Sequence, residues 1–591
     1  MTARSFVGKA RRRRRGRTRL VVAVVVTVLA ALLLSSCVTT SGSPVTVTST
    51  RGGTLHVLLD NPVQHWDPQR MYGGPEAEFA VRTYLRTLTT QAPAGAGFTP
   101  GLVGDLATNA GAESGGGRTW TFTIISDARW QDGHAVSCED VRYGISRNFA
   151  RDTLTGGPPY AASLLDIPLV KDAASNDVPA YAGPYVGTGQ DLYDKAVTCA
   201  GSVLTFHLKV PVHDFNQAVS LAAFAPVRKD QDRRDAGNFS VFSCGPYILE
   251  GTWKPGDGGR FVRNRSWTPL SDPVRQANPE IIDVREGIPT TTAIQRIIDD
   301  KGEDRYAVTW ADAPPALQQQ LLASKDLSLR VTNPVAPSVE YLVPNLSRPA
   351  MSNIATRQAL AMATNRDAFV SAYGGPTAMT PTYSVLASTV PGRRDFNPFG
   401  VGAGGDPARA RALLTAAKVS LPVPIQVAYR QSEDADKAFA ALKVGWEKAG
   451  FGVTLDPITT SYYATISSAD AAKKFDVFRA SWSADWPSGS TVIPNNFDSR
   501  VNITAAGPGQ DYGYFADVGV NADIDAAYAI TNDGSRDAAW GALDEQIAKL
   551  GGHIALAQQR DMFIHGSGVV AYSDNPLMGG HVDLATIQLA K

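Results

Sequence analysis

Apolar and polar residues alternate with a period of two in several short segments of the first half of the chain, as they do in half-buried strands. Residues 53–59 read as a short apolar strand, and residues 120–124 read Trp-Thr-Phe-Thr-Ile. Residues 204–208 alternate again, and Pro211, which cannot donate to a strand ladder, ends that segment. The tripeptide Gly-Pro-Tyr at 245–247 predicts a turn into a further strand.

A helix is predicted after a turn at residues 130–133 (Trp-Gln-Asp-Gly). Ser137 and Asp140 lie three residues apart, which is a variant of the capping box that opens helices. The apolar stripe of this helix would consist of Val141, Ile145 and Phe149. Residues 152–200 are rich in Gly, Pro, Ala and Asp, and we expect them to form long surface loops.

A longer helix is predicted in the second half of the chain. Ser352 is a candidate cap, and apolar residues keep helical spacing from Ala359 to Tyr373. Gly374 would end this helix, since glycine adopts the left-handed conformation common at helix C-termini.

The clearest pattern has the order strand, helix, strand. Residues 425–429 alternate apolar and polar side chains, and residues 451–455 do so again. The helix between them would end at Gly450 and carry on one face Phe439, Leu442 and Trp446. This order is a βαβ unit, so it predicts a parallel sheet and an α/β fold class.

The N-terminal segment changes the charge balance and predicts export. The chain has 56 basic and 56 acidic residues, but residues 1–36 hold nine basic residues and no acidic one. The remaining body therefore has a net charge of −9 and offers no electrostatic reason to bind nucleic acid. An apolar run of 15 residues follows the basic stretch, which is the length of a signal sequence rather than of a membrane span.

The apolar run ends in Leu34-Ser35-Ser36-Cys37, which resembles the bacterial lipobox, where the cysteine is lipidated and becomes the mature N-terminus. Residues 1–36 would then be a lipoprotein signal peptide. Residues 37–52 would be the lipidated Cys37 and a flexible tether. An uncut membrane anchor is the alternative. Both place the body outside the cytoplasm, on the outer face of the cell membrane.

Three further cysteines are Cys138, Cys199 and Cys244. Export permits a disulfide, and three thiols allow one bridge with one cysteine left over. We favour a bridge between Cys138 and Cys199, with Cys244 free. Three unpaired cysteines are the alternative.

Four blocks of the body resemble, in the same order, family 5 extracellular solute-binding proteins, the peptide- and nickel-binding subunits of ABC importers. They are residues 119–147 (TWTFTIISDARWQDGHAVSCEDVRYGISR), 244–247 (CGPY), 345–366 and 476–487. The resemblance implies a periplasmic-binding-protein type II fold, an α/β fold in which two lobes are joined by a hinge and a third lobe is inserted. The ligand would lie in the cleft, and the family has no catalytic residues.

The resemblance also implies domain boundaries. Lobe I would comprise residues 53–72, 196–335 and 546–591, lobe II would be the insertion at 73–195, and lobe III would span 336–545.

The block at residues 476–487 implies the ligand contacts. Asp485 stands where the family pairs an acid with the α-ammonium group of a peptide. Arg479 stands where an arginine can meet the terminal carboxylate of short peptides. The candidate ligand-binding residues are Asp485, Arg479, Trp482, Tyr463, Trp486, Ala484, Gly245 and Tyr247. Ser483 replaces a bridged cysteine of the best-known members, so that bridge is absent.

Several of these residues also have a structural explanation. Asp485 would cap a turn before Trp486, and Arg479 would form a surface ion pair. Large aromatic rings such as Trp482 and Tyr463 are commonly part of the core. The Gly-Pro turn by itself explains residues 245–247.

The chemistry of Asp485 suits a peptide. Every free peptide offers an ammonium group, and a charge-assisted hydrogen bond from it to a carboxylate contributes about 1.5–3 kcal/mol. Aromatic rings shape roomy side-chain pockets. We therefore predict a monomeric lipoprotein that captures oligopeptides and delivers them to ABC permease and ATPase subunits. We expect neither a cofactor nor a metal.

Three other functions are alternatives. The eight histidines form no HExxH motif and the chain lacks GxSxG, so we do not expect an enzyme. A nickel- or haem-binding member of the same family is disfavoured because the carboxylate of Asp485 serves an ammonium group better than a chelated metal or an anionic porphyrin. A binding-protein fold recruited for signalling or cell-envelope regulation stays open.

Overall fold

The structure is a computed structural model that describes residues 49–72, 74–93, 100–173, 177–504, 507–578 and 580–591. The predicted signal peptide, Cys37 and most of the tether lie outside the described residues. The strands are β1 (Ser49–Thr50), β2 (Thr54–Leu58), β3 (Thr89–Ala92), β4 (Gly101–Gly104), β5 (Ala112–Ser114), β6 (Thr119–Thr123), β7 (Leu169–Lys171), β8 (Asp177–Pro179), β9 (Val197–Ala200), β10 (Val203–His207), β11 (Tyr247–Lys254), β12 (Gly258–Arg263), β13 (Ile281–Arg285), β14 (Ala307–Thr309), β15 (Val331–Thr332), β16 (Val335–Pro344), β17 (Met379–Pro381), β18 (Val423–Arg430), β19 (Phe451–Ile458), β20 (Val477–Ser483), β21 (Ile554–Arg560), β22 (Phe563–Ile564) and β23 (Leu589–Ala590).

The α-helices are α1 (Gly74–Thr83), α2 (Cys138–Ser146), α3 (Tyr160–Leu164), α4 (Gln190–Ala196), α5 (Phe215–Ala218), α6 (Thr290–Asp299), α7 (Pro315–Ala323), α8 (Lys325–Ser328), α9 (Pro349–Ser352), α10 (Ile354–Ala363), α11 (Arg366–Ala372), α12 (Pro407–Ala416), α13 (Glu433–Ala449), α14 (Tyr462–Ile466), α15 (Ala469–Lys474), α16 (Ile493–Phe497), α17 (Ser499–Asn502), α18 (Val518–Tyr528) and α19 (Asp533–Leu550). Short 3₁₀ helices span Arg147–Phe149, Ala222–Phe224, Lys229–Gln231, Arg234–Gly237, Pro269–Ser271, Gly302–Tyr306, Gly489–Thr491 and Pro576–Met578.

Three sheets carry most of the strands. The six-stranded sheet has the order β17-β21-β16-β20-β18-β19, the five-stranded sheet β11-β12-β13-β2-β14, and the four-stranded sheet β5-β6-β10-β9. Helices of the second half pack on the six-stranded sheet, and their apolar faces form one core with it. The predicted α/β fold class is therefore confirmed.

The predicted βαβ unit is present as β18, α13 and β19. The two strands pair in parallel from Val423 opposite Phe451 to Arg430 opposite Ile458. The helix ends at Gly450, which adopts a φ of 106° and donates its N–H to carbonyl groups of the last turn. All three predicted core residues of the helix are buried, as the 3.6-residue period requires.

The capping box of α2 is also present. The Ser137 hydroxyl accepts the N–H of Asp140, whose carboxylate accepts the N–H of Ser137 at 2.9 Å. The structure joins Cys138, at the start of α2, to Cys199 in β9 by a disulfide, and Cys244 is free and buried.

The expectation of surface loops at residues 152–200 is wrong. This stretch contains α3, β7, β8, α4 and β9, and it buries the rings of three tyrosines. Tyr181 and Tyr193 stack with centroids 4.8 Å apart, and both pack on Phe149 of the neighbouring helical segment. These aromatic residues are too far apart in sequence to produce the spacing of a helix or a strand. The prediction of loops therefore rested on the Gly, Pro, Ala and Asp content alone.

The single helix predicted from Ser352 to Tyr373 is also wrong. Ser352 ends α9, and the side chain of Asn353 caps α10 instead. The helix breaks at Thr364, after which Asn365 caps α11 by accepting the N–H of Ala368 at 2.9 Å. The Thr364 hydroxyl accepts the indole N–H of Trp446 at 3.0 Å, so a tertiary contact occupies the break.

The chain passes twice between the five-stranded and six-stranded sheets. The first connection runs from β14 to β16, and the second follows β21, where β22 pairs with β15. The last residues return to the core of the five-stranded sheet, and β23 pairs with β1. β21 belongs to the six-stranded sheet although the predicted return to lobe I begins at residue 546. β10 pairs with β6 of the insertion, and β9 pairs with β10. The lobe boundaries stay predictions.

Candidate ligand-binding site

A cavity of about 380 Å³ lies beside the two connections between the sheets. One side of it consists of α1 and residues 220–222, and the other consists of the start of β16, the loop after β20 and the end of β21. The C-terminal segment around Pro576 closes part of the wall. Its volume falls within the range of about 300–1,000 Å³ typical of small-molecule sites.

The loop after β20 brings Asp485 into the cavity wall. β20 lies between β16 and β18 in the sheet and ends at Ser483. β18 runs parallel to it, and ligands of α/β sheets commonly lie beyond the carboxyl ends of such strands. Trp486 is buried against Tyr160, with ring centroids 4.8 Å apart, and its indole N–H donates to Asp214 at 3.0 Å. This anchor fixes the position of the preceding carboxylate.

The carboxylate of Asp485 has hydroxyl donors but no cationic partner. Tyr72 donates to Oδ2 at 3.3 Å, and Tyr160 donates to the same oxygen. No Lys, Arg or His of the described residues lies within 4.0 Å of it. Burial raises the pKa of Asp485 to about 6, although the two hydroxyl groups act in the opposite direction. At neutral pH the group is therefore ionised and lacks a counter-charge.

One face of α1 forms a second part of the wall. Gly74, Ala77, Glu78 and Val81 line the cavity with the spacing i, i+3, i+4 and i+7, which places them on one side of a helix. The carboxylate oxygens Oε1 and Oε2 of Glu78 lie 3.1 and 3.0 Å from Nδ1 of His581. Burial lowers the pKa of His581, but the carboxylate of Glu78 outweighs burial, so the pKa is raised overall.

A buried ion pair lies behind this wall. The guanidinium of Arg82 donates to Asp583 at 2.9 Å, and both side chains are 1% exposed. Asn575 donates to the same carboxylate oxygen at 3.1 Å. These contacts hold the C-terminal segment against α1, and Arg82 does not line the cavity.

Asp561, the residue after β21, is a third acid in the wall. Burial raises the pKa of its carboxyl group, and His581 acts in the opposite direction. Its carboxylate forms no ion pair within the described part of the chain. The neighbouring Gln559, which also lines the cavity, donates instead to Glu340 at 2.7 Å.

Arg479 does not line the cavity. Its Nε donates to the buried carboxylate of Glu340 at 2.7 Å, and its guanidinium lies 5.8 Å from the centre of the Tyr373 ring. Burial opposes the charge of Arg479, but Glu340 raises its pKa further above its usual range. Arg479 therefore forms an ion pair, as its structural explanation predicts, but the pair is buried against Glu340 and does not lie on the surface.

The other predicted residues divide into two groups. Ala484 and Trp486 line the cavity with Asp485. Trp482 donates its indole N–H to the carbonyl of Thr491 at 2.9 Å, and Tyr463 is exposed beside two other tyrosine rings. Neither of these two aromatic residues lines the cavity.

Gly245 and Tyr247 have structural roles at the edge of the five-stranded sheet. A Cβ at Gly245 would lie 2.5 Å from the carbonyl oxygen of Thr83, so the close approach of two backbones requires glycine there. The buried hydroxyl of Tyr247 donates to the carbonyl of Pro279 at 2.8 Å. Both residues lie outside the cavity wall.

The sequence interpretation missed Tyr72, Tyr160, Glu78, Asp561 and His581. The spacing of the α1 face is the one signal that could have indicated Glu78. Tyr72 and Tyr160 meet Asp485 across 413 and 325 residues of chain, and no local pattern reports such contacts.

Two features are absent from the described residues. None of their helices is both long and apolar enough to cross a membrane. No group of three or more His, Cys, Asp or Glu side chains in this part of the chain is arranged to hold a metal ion.

Known proteins share both the sequence pattern and the fold. The pattern of the family described as bacterial extracellular solute-binding proteins, family 5 Middle, matches residues 101–503. The periplasmic murein peptide-binding protein MppA of Escherichia coli (strain K12) is 24% identical over 464 residues, which are 76% of this chain and 78% of that protein. The periplasmic oligopeptide-binding protein OppA of the same organism is 23% identical over 520 residues, 86% of this chain and 87% of that protein. The solved structure of clavulanic acid biosynthesis oligopeptide binding protein 2 superposes with a TM-score of 0.82 at 25% identity, covering 92% of this chain and 96% of that one.

Proposed function

The chain belongs to the bacterial extracellular solute-binding proteins of family 5, and from this premise we propose that it binds oligopeptides through their α-ammonium group at Asp485. The observation that carries the proposal is a carboxyl group in a cavity wall whose hydrogen-bond donors, among the described residues, are two tyrosine hydroxyls and which has no cationic partner there. A carboxylate in such a place is stabilised when a ligand supplies the missing positive charge.

The geometry of the carboxylate supports an ammonium ligand. Both tyrosine hydroxyls donate to Oδ2, so Oδ1 keeps its lone pairs for the ligand. An ammonium group has three donors and can reach this oxygen while donating to a second acceptor in the wall. A ligand carboxylate at the same position would be repelled.

The relatives support the choice of peptide as the ligand. Two of the proteins to which the chain is similar are named for binding oligopeptides and one for binding murein peptides. A free N-terminal amine is common to all peptides, so recognition at Asp485 requires no particular side chain.

We propose delivery to an ABC importer and attachment to the membrane as the wider role. Cys37 would carry the lipid, hold the protein on the outer face of the cell membrane, and keep the binding domain near the permease and ATPase subunits. Mass spectrometry of the mature protein should find acyl chains on an N-terminal Cys37. A mature protein that keeps the residues before Cys37, or whose Cys37 carries no acyl chain, would contradict lipidation.

Isothermal titration calorimetry tests the peptide proposal. The ligand-free protein is titrated with a tripeptide that has a free N-terminus and with its N-acetylated twin. The acetyl group removes the positive charge and leaves the remaining atoms in place. We expect binding of the free peptide with a Kd in the micromolar range or below, and binding of the twin to be at least about 100-fold weaker.

Mass spectrometry of the protein under non-denaturing conditions provides an independent measurement. A co-purifying ligand with the mass and fragmentation of a free-amine peptide would support the proposal. Equal affinity for the free and acetylated peptides, or a co-purifying ligand without an amine, would refute it.

A further inference from the structure

We infer that the cavity selects peptides that carry a second positive charge, on a lysine or arginine side chain, which pairs with Asp561. This inference rests on the proposed binding of the α-ammonium group at Asp485 and names the class of peptide that the site favours.

The charges of the cavity wall are the starting observation. Three carboxylates line it, those of Glu78, Asp485 and Asp561. Among the described lining residues, the sole side chain that can carry a positive charge is His581, and it is paired with Glu78 at 3.0 Å. The wall therefore presents two carboxylates, those of Asp485 and Asp561, that form no ion-pair contact with a described side chain.

Arg82 and Arg479 do not change this balance. Arg82 is neutralised by Asp583 and Arg479 by Glu340, each through an ion pair, and neither guanidinium lines the cavity. No described Lys or Arg is placed to receive the terminal carboxylate of a peptide inside the cavity.

Two carboxylates in one cavity favour a ligand with two positive charges. Burial disfavours the charged form of both Asp485 and Asp561 and raises the pKa of each. A ligand cation beside each group reverses that effect, so the gain on binding is larger for a ligand with two cations than for a ligand with one. Asp561 has no ion-pair partner among the described residues, and this leaves its oxygens free for the ligand.

The apolar part of the wall suits the stem of such a side chain. Val81, Leu221 and Leu577 line the same cavity. Lys and Arg side chains place their methylene groups on apolar surfaces of this kind while the charged end reaches a polar group. The terminal carboxylate of the peptide would then point away from the acidic wall.

A panel of tripeptides with free N-termini tests the inference by titration calorimetry. Each position in turn carries lysine or Nε-acetyl-lysine, and the C-terminus is either free or amidated. We expect one position at which lysine binds at least about tenfold more tightly than acetyl-lysine, since one desolvated ion pair is lost. Amidation should preserve or increase the affinity, because it removes a negative charge from the ligand.

Two matched variants assign the effect to Asp561. Asp561→Asn should abolish the preference for lysine and leave the discrimination between free and N-acetylated N-termini unchanged. Asp312→Asn replaces a carboxyl group that interacts with Asp561 but lies outside the cavity wall, so it should preserve the preference. Burial raises the pKa of Asp312 to about 7, so this variant changes the charge near Asp561 only in part. The amide introduced by this second variant can still accept the N–H of Met562, which the Asp312 carboxylate accepts at 2.6 Å.

The outcomes separate this inference from the proposed function. One outcome is that free-amine peptides bind and N-acetylated ones do not, while lysine and acetyl-lysine give equal affinities at every position. That result would refute the preference for a second positive charge and would leave the role of Asp485 intact. Weaker binding of amidated peptides by tenfold or more would also overturn the inference. If no free-amine peptide binds, both the proposed function and this inference are refuted.

Discussion

Replacing Asp485 with Asn separates a ligand-binding role from a structural role, because the two roles predict opposite changes in stability. The amide is isosteric with the carboxylate and can still accept the hydroxyls of Tyr72 and Tyr160, but it carries no charge. A residue that stabilises the fold would lower the free energy of unfolding when replaced. A carboxylate whose negative charge has no partner until a ligand binds destabilises the ligand-free fold, so its replacement should raise the free energy of unfolding.

The magnitude follows from the pKa of Asp485, which burial raises from 3.8 to about 6. The folded state therefore holds the proton more tightly than the unfolded state. The contribution of Asp485 to the free energy of unfolding is greatest below pH 3.8, falls as the pH rises towards 6, and stays lower above it. The difference between these two pKa values corresponds to at most about 3 kcal/mol, and contact of the partly exposed carboxylate with water reduces it to about 1–2 kcal/mol.

Asp485→Asn should therefore unfold about 1–2 °C higher than the wild type at pH 7.5, for a chain of this size, and show no difference near pH 3.5. At pH 7.5 its affinity for a free-amine peptide should fall by about 3 kcal/mol, or about 150-fold, since the ammonium group loses its partner. Thermal unfolding of ligand-free protein and calorimetry with one peptide measure the two quantities.

Asp470→Asn is the matched control. Asp470 is exposed and pairs with Lys473 on the surface of α15, so its replacement should change neither quantity measurably. A lower unfolding temperature for Asp485→Asn together with an unchanged affinity would refute the reasoning, because it would make Asp485 a structural turn residue.

Further predictions follow from the same contacts. The affinity for free-amine peptides should fall by about tenfold between pH 7 and pH 5, as the pH drops through the pKa of Asp485, whereas N-acetylated peptides should show no such loss in calorimetry. Tyr160→Phe removes a hydroxyl that lowers the pKa of Asp485, so the same titration should shift to higher pH; an unshifted curve would contradict the contact. Replacing Cys138 and Cys199 together with Ser should lower the free energy of unfolding by about 2–4 kcal/mol, since they close a loop with a sequence separation of 61 residues. The same double variant should bind peptide as the wild type does, because neither residue lines the cavity; calorimetry and chemical unfolding check both statements.

Much of the second half of the fold could be predicted from the sequence, because each of its helices and strands has one buried face, and that face appears as a regular spacing of apolar residues. The alternation at residues 425–429, the helical stripe before Gly450 and the alternation at 451–455 each report the periodicity of one element. Their order then fixes a parallel pair, since parallel strands need a crossover connection. The break at Thr364 was missed because a contact with Trp446, distant in sequence, accompanies it.

The candidate site was predictable only at one wall. Asp485, Trp486 and Ala484 are adjacent in sequence, so one matching block of the family identified all three. Arg479 and Trp482 belong to the same block, but their side chains take partners away from the cavity. Adjacent residues of a strand point to opposite faces, so membership of the block could not decide which of them reach the ligand.

The sequence by itself determined the fold class, the βαβ unit and the helix caps at Ser137 and Gly450, and its resemblance to the family pointed to the acid that lines the cavity. Only the tertiary structure decided the charge balance around that acid, because pairing and burial depend on neighbours in space. Tyr72 and Tyr160 reach Asp485 from 413 and 325 residues away, and Asp561 is left without an ion-pair partner among the described residues. Periodicity records which face of an element is buried, but it carries no information about which charge lies opposite.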